Sequence, residues 1–283
     1  MSAGKAKSNC FRRKRSVKGV SMIKNEEEYD MKIQKLGVQL YTIREFLDTP
    51  EHVRESFRRL KDLGYDQAQT AGCQIPYEEF GRIAREENLE IVGTHDKFDL
   101  MVEDFEQAYE NHMHLGTKNM GIGGFRPQSI QDVKDFIVKA NAIGEKMAAR
   151  GGKFTYHNHS HEFVKDEEGR LVMDRLVEGL NPKTTSFVLD TYWVQHGGGD
   201  VRHWIEMLAG RIDILHLKDM AKSTEKEKHI ITEIGNGNLY WEGIMETAEK
   251  AGVRYYVVEQ DTCPGDPFDS LKISSDFIHK HFM

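Results

Sequence analysis

Short apolar segments alternate with longer amphipathic segments from Lys35 to the C-terminus. The apolar segments are rich in Val, Ile, Leu and Tyr, which is typical of buried strands, whereas the amphipathic segments repeat apolar residues at helical spacing. Glycine follows the first amphipathic segment at Gly64, as expected at the C-terminal end of a helix. The pattern predicts strands at residues 36–41, 65–70, 89–94, 118–122, 153–157, 185–189, 211–217 and 254–259. It predicts helices at residues 52–63, 77–87, 102–114, 130–150, 173–179, 201–209, 241–251 and 268–281.

Eight strand-then-helix units in about 250 residues have the length and order of a (β/α)8 barrel, the TIM barrel. A doubly wound open sheet is the alternative fold. That fold is expected to carry a glycine-rich phosphate turn after its first strand, and the segment after Leu40 has none. The pattern therefore favours one α/β domain, a single barrel over residues 31–283.

The charge is unevenly distributed along the chain. Residues 1–30 carry eight Lys or Arg and four acids, whereas residues 31–283 carry 31 Lys or Arg and 42 acids. An acidic body disfavours nucleic acid as a partner. The basic first 30 residues, with Arg12, Arg13 and Arg15, are interpreted as a disordered extension outside the fold, although a targeting or nucleic-acid patch is the alternative.

Other features of the composition point to a cytoplasmic protein. Apolar segments do not approach the roughly 20 residues that cross a bilayer, so no membrane partner is expected. The N-terminus lacks the apolar core of a secretory signal. The cysteines, Cys10, Cys73 and Cys263, are scattered, which favours free thiols. The sequence leaves open whether the protein is a monomer or a homodimer.

The segment Tyr156–Phe163 concentrates three histidines and a carboxylate at the end of the fifth strand. Alternation along a strand directs Thr155, His157 and His159 to one face and Tyr156 to the other. Histidines at this spacing beside a carboxylate can hold a divalent metal or transfer protons near neutral pH. A polar loop with hydrogen-bonded histidines is the structural alternative.

Polar residues also follow the other predicted strands, where the active site of a (β/α)8 barrel lies. Asp190, His216 and Glu259 each close an apolar segment at the same level of the barrel, where an unpaired charge would be costly to bury. A shared divalent cation is the simplest explanation for these three. Asp96, Asp219 and Asp261 are more simply interpreted as turn or helix-capping residues. The other polar or aromatic candidates at this face are Gln39, Tyr41, His95, Trp193, Lys218 and Glu233.

The chain resembles the sugar phosphate isomerase/epimerase family of xylose isomerase-like barrels, which includes inosose isomerases or dehydratases and ketose 3-epimerases. The segments that carry the resemblance occur in the family's order and span nearly the whole chain without the basic extension. They are Gly37-Val-Gln-Leu-Tyr-Thr42, Tyr156-His-Asn-His-x-x-Glu-Phe163, Leu189-Asp-Thr-Tyr-Trp193, His216-Leu-Lys-Asp219, Glu233-x-Gly-x-Gly237 and Val258-Glu-Gln-Asp261.

The resemblance implies one divalent metal, manganese, magnesium, cobalt or zinc, held by Glu, Asp, His and Glu. Asp190, His216 and Glu259 match the last three ligands. Strand five departs from the family's pattern because it offers His157 and His159 where the relatives place glutamate. We expect Glu162 to supply the first ligand, with a strand-five histidine as the alternative.

The resemblance further implies isomerisation or epimerisation, or a related dehydration, through an enediolate next to a sugar carbonyl. Glu259 or Glu162 would act as the base, His159 or His95 would return the proton, and Lys218 would stabilise the oxyanion. Substrate contacts are expected from Gln39, Tyr41, His95, His157, Trp193 and Glu233. The expected substrate is an unphosphorylated sugar, keto-sugar or inosose, because no Arg and Gly cluster near strands seven and eight indicates a phosphate site.

Two other functional classes remain open from the sequence. One is a metal-dependent phosphodiesterase of the endonuclease IV-like branch, which shares the barrel but must bind DNA. The other is a catalytically silent sugar-binding barrel, because a fold alone does not establish an activity.

Overall fold

The computed structural model describes residues 33–224 and 228–283, and within them eight parallel strands form one sheet. The sheet contains β1 (Leu36–Gln39), β2 (Tyr65–Thr70), β3 (Glu90–Thr94), β4 (Asn119–Ile122), β5 (Lys153–His157), β6 (Thr185–Asp190), β7 (Ile212–Leu217) and β10 (Tyr255–Val258). Its hydrogen-bonded order is β3-β2-β1-β10-β7-β6-β5-β4, so the sheet curls until its edge strands β3 and β4 meet. The predicted (β/α)8 barrel is confirmed.

The barrel is nearly closed at the seam between β3 and β4. Asn119 of β4 donates its side-chain amide to the Val92 carbonyl at 2.8 Å, and the Asp96 amide donates to the Gly121 carbonyl at 2.9 Å. Isolated bonds of this kind replace a regular ladder, because β3 and β4 are not paired with each other in the described sheet. The seam is therefore the least continuous part of the wall.

Helices pack around the strands. They are α1 (Pro50–Asp62), α2 (Tyr77–Glu86), α3 (Phe98–Glu103), α4 (Phe105–Leu115), α5 (Ile130–Ala148), α6 (Val172–Gly179), α7 (Thr191–His196), α8 (Val201–Met207), α9 (Trp241–Lys250) and α10 (Pro267–Phe282). Two 3-10 helices, Leu40–Phe46 and His161–Phe163, follow β1 and β5 directly. None of the helices in the two described ranges is long and apolar enough to cross a membrane.

The structure differs from the predicted pattern in three connections. The single helix predicted at 102–114 is two helices, because Asp104 adopts φ −139° and caps α4 through a bond from the Gln107 amide. The loop predicted after strand seven contains an antiparallel hairpin, β8 (Asp219–Lys222) with β9 (His229–Thr232). A short helix, α7, also follows β6. The basic extension predicted at residues 1–30 lies outside the described residues.

The barrel interior has an apolar floor. Val92, Val188, Ile214 and Val257 form a small buried cluster that is separate from the larger core between strands and helices. Side chains two residues apart on a strand point the same way. The next inward positions after Val188, Ile214 and Val257 are therefore Asp190, His216 and Glu259. The strand period thus places three polar side chains in one layer above an apolar one.

Candidate active site

Four buried side chains from adjacent strands converge at the C-terminal end of the barrel. One donor atom from each of His157, Asp190, His216 and Glu259 lies within 4.8 Å of the donor atoms of the others, and we call this set the four-donor group. His216 Nδ1 lies 3.0 Å from Glu259 Oε2, and His157 Nε2 lies 3.4 Å from Asp190 Oδ2. Asp190, His216 and Glu259, which were expected to share a cation, lie together in this group.

Neighbouring residues hydrogen-bond the polar atoms of this group that do not face the other donors, and so fix the orientation of the side chains. His157 Nδ1 bonds to the Gly123 carbonyl at 3.1 Å, and His216 Nε2 lies 2.5 Å from Gln69 Oε1. Because a carbonyl can only accept, His157 Nδ1 carries the proton and, in the neutral ring, Nε2 presents a lone pair inward. Asp190 Oδ1 accepts a bond from the Trp193 amide at 2.8 Å, which caps α7 and leaves Oδ2 facing the group.

Lys218 is the counter-charge of this region. Its ammonium lies 2.9 Å from Glu259 Oε2, 3.2 Å from Asp190 Oδ2 and 2.8 Å from Asp261 Oδ1, and the side chain is 1% exposed. Burial opposes the charged forms, but the mutual attraction outweighs it. The pKa of Lys218 is therefore raised above its ordinary value, and the pKa values of Asp190 and Glu259 are lowered below theirs.

The charges and donor types fit a divalent cation. Asp190 and Glu259 are buried and Asp261 is partly exposed; when all three are ionised and the imidazoles are neutral, they leave two net negative charges against the one ammonium. Such a charge is costly to bury, and a divalent ion would neutralise it. His216 Nδ1 is also buried without a hydrogen bond while it faces two carboxylates. Imidazole nitrogens and carboxylate oxygens together suit manganese, cobalt or zinc.

A cavity of about 830 Å³ opens above the four-donor group. Tyr41, His95, His157, Trp193 and Lys218, all predicted from the sequence to contact substrate or assist the reaction, line it. His159 and Glu259 line it as well. The ring of His95 stacks on His157 with centroids 4.9 Å apart, and the Lys218 ammonium lies 5.3 Å from the Trp193 ring centroid. Seven of the residues predicted from the sequence for the site therefore lie in the cavity wall.

Two predicted substrate-binding residues lie behind the cavity wall. Gln39 is fully buried, and its side-chain amide nitrogen lies 3.2 Å from His95 Nδ1, so it orients that ring. Glu233 accepts bonds from Ser270 Oγ at 2.8 Å and Thr232 Oγ1 at 2.9 Å. Burial opposes ionisation of Glu233, but the bonds that it accepts lower its pKa to about 2. Glu233 joins α10 to the loop after the hairpin and does not line the cavity.

Glu162 lies outside the four-donor group. Tyr156 points to the helix layer, where its ring packs on Phe136, and its hydroxyl donates to Glu162 Oε1 at 2.7 Å. Glu162 Oε2 accepts the His159 amide at 2.9 Å. Burial raises the pKa of Glu162, and the side chain anchors the loop after β5. His157, a strand-five histidine of the kind expected as the alternative, lies beside Asp190, His216 and Glu259 where Glu162 was expected.

His159 faces the cavity from the same loop. Its ring centroid lies 5.2 Å from that of Trp193. Burial, followed by the neighbouring His157, lowers the pKa of His159 to about 3, so its imidazole is neutral near pH 7. His95 is affected in the same direction, chiefly by burial.

Asp261 and Gln69 are among the site residues that the sequence did not predict. Asp261, interpreted as a turn residue, lines the cavity and pairs with Lys218 at 2.8 Å. Gln69, which orients His216, gave no signal beyond its place at the end of β2. The turn interpretation suits Asp219, which accepts bonds from the Gly235 amide at 2.9 Å and Trp241 Nε1 at 2.7 Å.

The chain belongs to the xylose isomerase-like TIM barrel family, whose sequence model matches residues 57–280. An inosose dehydratase from Geobacillus thermodenitrificans is 27% identical in a 172-residue alignment that covers 55% of this chain and 57% of that protein. An inosose dehydratase from Lactiplantibacillus plantarum is 24% identical over 50% of this chain and 52% of that protein. The chain thus spans about half the length of these curated relatives.

Solved structures resemble the chain over nearly its full length. A sugar phosphate isomerase/epimerase from Parabacteroides distasonis superposes with a TM-score of 0.74 at 22% identity and covers 89% of this chain and 95% of that one. An L-ribulose 3-epimerase gives a TM-score of 0.67 at 12% identity, with 88% and 95% covered. These structural likenesses support the fold, and the relatives named above are enzymes of the isomerase, epimerase and dehydratase kind.

Proposed function

We propose that this protein is a metal-dependent isomerase or epimerase, or a related dehydratase, that acts next to the carbonyl of an unphosphorylated sugar, keto-sugar or inosose. The observation that carries the proposal is the four-donor group beneath a cavity of about 830 Å³. The inosose dehydratase relatives support dehydration as one of the outcomes.

His157, Asp190, His216 and Glu259 would hold the metal, and Lys218 would remain beside it. When bound there, a divalent cation supplies Lewis acidity to a carbonyl oxygen and its neighbouring hydroxyl. The side chains behind the donors keep their free atoms directed inward, so the site requires little reorganisation. His157 would thereby take the ligand position that was expected for Glu162.

The remaining chemistry belongs to side chains of the cavity wall. Glu259 Oε2 is engaged by Lys218 and His216, and we assign Oε1 to accept the proton from the carbon next to the carbonyl. Lys218 donates a hydrogen bond to the oxygen on which negative charge develops. Return of the proton to the neighbouring carbon gives isomerisation, and return to the opposite face gives epimerisation. In dehydration the β-hydroxyl would leave as water together with the proton that Glu259 accepted from the carbon, and the neutral His159 imidazole would hydrogen-bond that hydroxyl.

The first test is metal content combined with exchange of the substrate proton for deuterium. Purified protein should contain about one divalent metal per chain, and Asp190→Asn should lose it while Glu162→Gln retains it. NMR in D2O should then show deuterium at the carbon next to the carbonyl in at least one unphosphorylated ketose or inosose. Metal without exchange in any such sugar would favour a silent binding barrel, and failure to load metal would overturn the proposal.

A further inference from the structure

His95 packs against both histidines of the four-donor group but is not a member of it. Its ring centroid lies 4.9 Å from that of His157 and 5.6 Å from that of His216. The side chain lines the cavity, and its backbone amide is held by the Thr70 carbonyl at 2.8 Å. His95 is therefore an imidazole in the cavity wall, next to the proposed metal ligands, for which the proposed reaction has no role yet.

The side chain of Gln39 determines which nitrogen of His95 carries the proton. Gln39 is the last residue of β1 and is fully buried. Its Oε1 accepts a bond from the Tyr41 backbone amide at 3.3 Å, and because that amide can only donate, the amide nitrogen of Gln39 lies on the other side. That nitrogen, Nε2, faces His95 Nδ1 at 3.2 Å. His95 Nδ1 must accept this bond, so the neutral ring carries its proton on Nε2.

The two histidines of the four-donor group have partners of the opposite kind. His157 Nδ1 donates to the Gly123 carbonyl at 3.1 Å, and His216 Nε2 donates to Gln69 Oε1 at 2.5 Å. Each of these rings therefore keeps a lone pair on the nitrogen that faces the group, as a metal ligand requires. In His95 the lone pair is occupied by a donor, and the other nitrogen presents an N–H.

The Nε2–H of His95 is a buried donor without an acceptor. The two nitrogens of an imidazole point in nearly opposite directions, so Nε2 faces away from Gln39. It is buried and has no hydrogen-bond partner within residues 33–224 and 228–283. A buried donor that stays unpaired destabilises the protein. Because the ring lines the cavity, an oxygen of a molecule bound there can supply the missing acceptor.

We infer that Gln39 fixes His95 as the Nε2–H tautomer and that His95 donates a hydrogen bond to an oxygen of the bound sugar. The inference rests on the proposed function for the presence of a sugar in the cavity. Gln39 is then a positioning residue, and His95 is a residue that contacts the substrate. Protonation of Nδ1 would place an N–H against the amide N–H of Gln39, so His95 orients the sugar and does not transfer the proton.

The tautomer is measured directly by NMR, without a substrate. Long-range proton–nitrogen correlation spectra of 15N-histidine-labelled protein, metal-free or loaded with zinc, distinguish protonated from unprotonated ring nitrogens. The His95 signals are identified by their loss in His95→Phe. The parent protein should show an unprotonated Nδ1 and a protonated Nε2. Gln39→Glu should reverse this, because a carboxylate at residue 39 accepts a proton from Nδ1. A protonated Nδ1 in the parent protein would overturn the inference.

Gln107→Glu is the matched control for this exchange of amide for carboxylate. Gln107 lies on the exposed face of α4, where its Nε2 bonds to Asn111 Oδ1 at 3.1 Å, and it does not line the cavity. This variant should keep the parent's His95 signals. Reversal of the tautomer in Gln107→Glu as well would show that added charge, and not the contact with Gln39, determines it.

Exchange kinetics test the contact with the sugar. In a ketose or inosose whose proton the parent protein exchanges for deuterium, Gln39→Glu and His95→Phe should lower kcat/KM about tenfold or more, because the sugar oxygen loses its donor. His95→Gln should recover part of this loss, because its amide restores an N–H, and all three variants should still bind metal. Parent-like kcat/KM in His95→Phe would overturn the contact. A parent protein without exchange in any such sugar would contradict the proposed function instead, whereas the NMR result does not depend on it.

Discussion

Replacement of Lys218 by methionine tests whether its ammonium compensates the buried carboxylates. Methionine keeps most of the side-chain volume but removes the charge that lies 2.8–3.2 Å from Asp190, Glu259 and Asp261. Removal of one partner from a buried ion pair costs about 3–5 kcal/mol, because the other charge stays buried without compensation. For a domain of this size that loss lowers the melting temperature by roughly 6–20 °C.

The assay is thermal and urea unfolding of Lys218→Met in the presence of a chelator, followed by circular dichroism. Lys272→Met is the matched control, because Lys272 pairs with Asp276 at 2.6 Å on the exposed surface of α10. Exposed pairs contribute about 0–1 kcal/mol, so the control should unfold close to the parent protein.

Metal provides a second readout for the same variant. Without the ammonium the region carries three net negative charges, so it should attract a divalent cation at least as strongly as the parent does. Added manganese or zinc should therefore recover part of the stability that Lys218→Met loses, while activity stays low because the proposed oxyanion donor is missing. A metal-free variant that unfolds within about 1 kcal/mol of the parent, or that metal does not stabilise, would contradict this role of the Lys218 ammonium.

Three further outcomes are expected. His157→Gln should lose bound metal in elemental analysis while Glu162→Gln keeps it, and the reverse result would restore the ligand set predicted from the sequence. Since the folded-state pKa of Glu233 is about 2 against an ordinary value of 4.5, its ionised form stabilises the fold fully above pH 4.5, and this is lost as the pH falls towards 2. Glu233→Gln should therefore flatten the decline of urea stability between pH 5 and 3 by on the order of 2 kcal/mol; an unchanged decline would argue against this role. Asn119→Ala should lower the free energy of unfolding by about 1–3 kcal/mol, because the buried Val92 carbonyl loses its donor; an unaltered urea midpoint would show that this bond is dispensable at the seam.

The strand pattern predicted the part of the site that depends only on alternation. A period of two residues carries the inward face from Val188, Ile214 and Val257 to the next layer, which is polar. Because all eight strands run in parallel, those polar ends must meet at one end of the barrel. The same alternation separates His157, which faces inward, from Tyr156, which packs on the helix layer.

The connections were predicted less well, because their paths depend on contacts distant in sequence. Asp104 interrupts the predicted helix at 102–114 by capping α4. Asp219 begins the hairpin after β7, and its carboxylate accepts bonds from three amides of the Gly235–Leu239 segment. Glu162 shows the same limit: its position beyond β5 suggested a ligand, but the hydroxyl of Tyr156 and the amide of His159 bind it on the outer side.

The identity of residue 157 sets the charge of the proposed metal site. With histidine there, Asp190, Glu259, Asp261 and Lys218 leave two negative charges, which one divalent cation balances. A carboxylate at position 157 would leave three, and the bound ion would need a further proton or cation nearby. The inward-facing nitrogen of His157 supplies a neutral ligand in its place, held by the Gly123 carbonyl. The neutral histidine on β5 and the cationic lysine after β7 therefore act together: they keep the net charge of the side chains at the value that a single divalent cation balances.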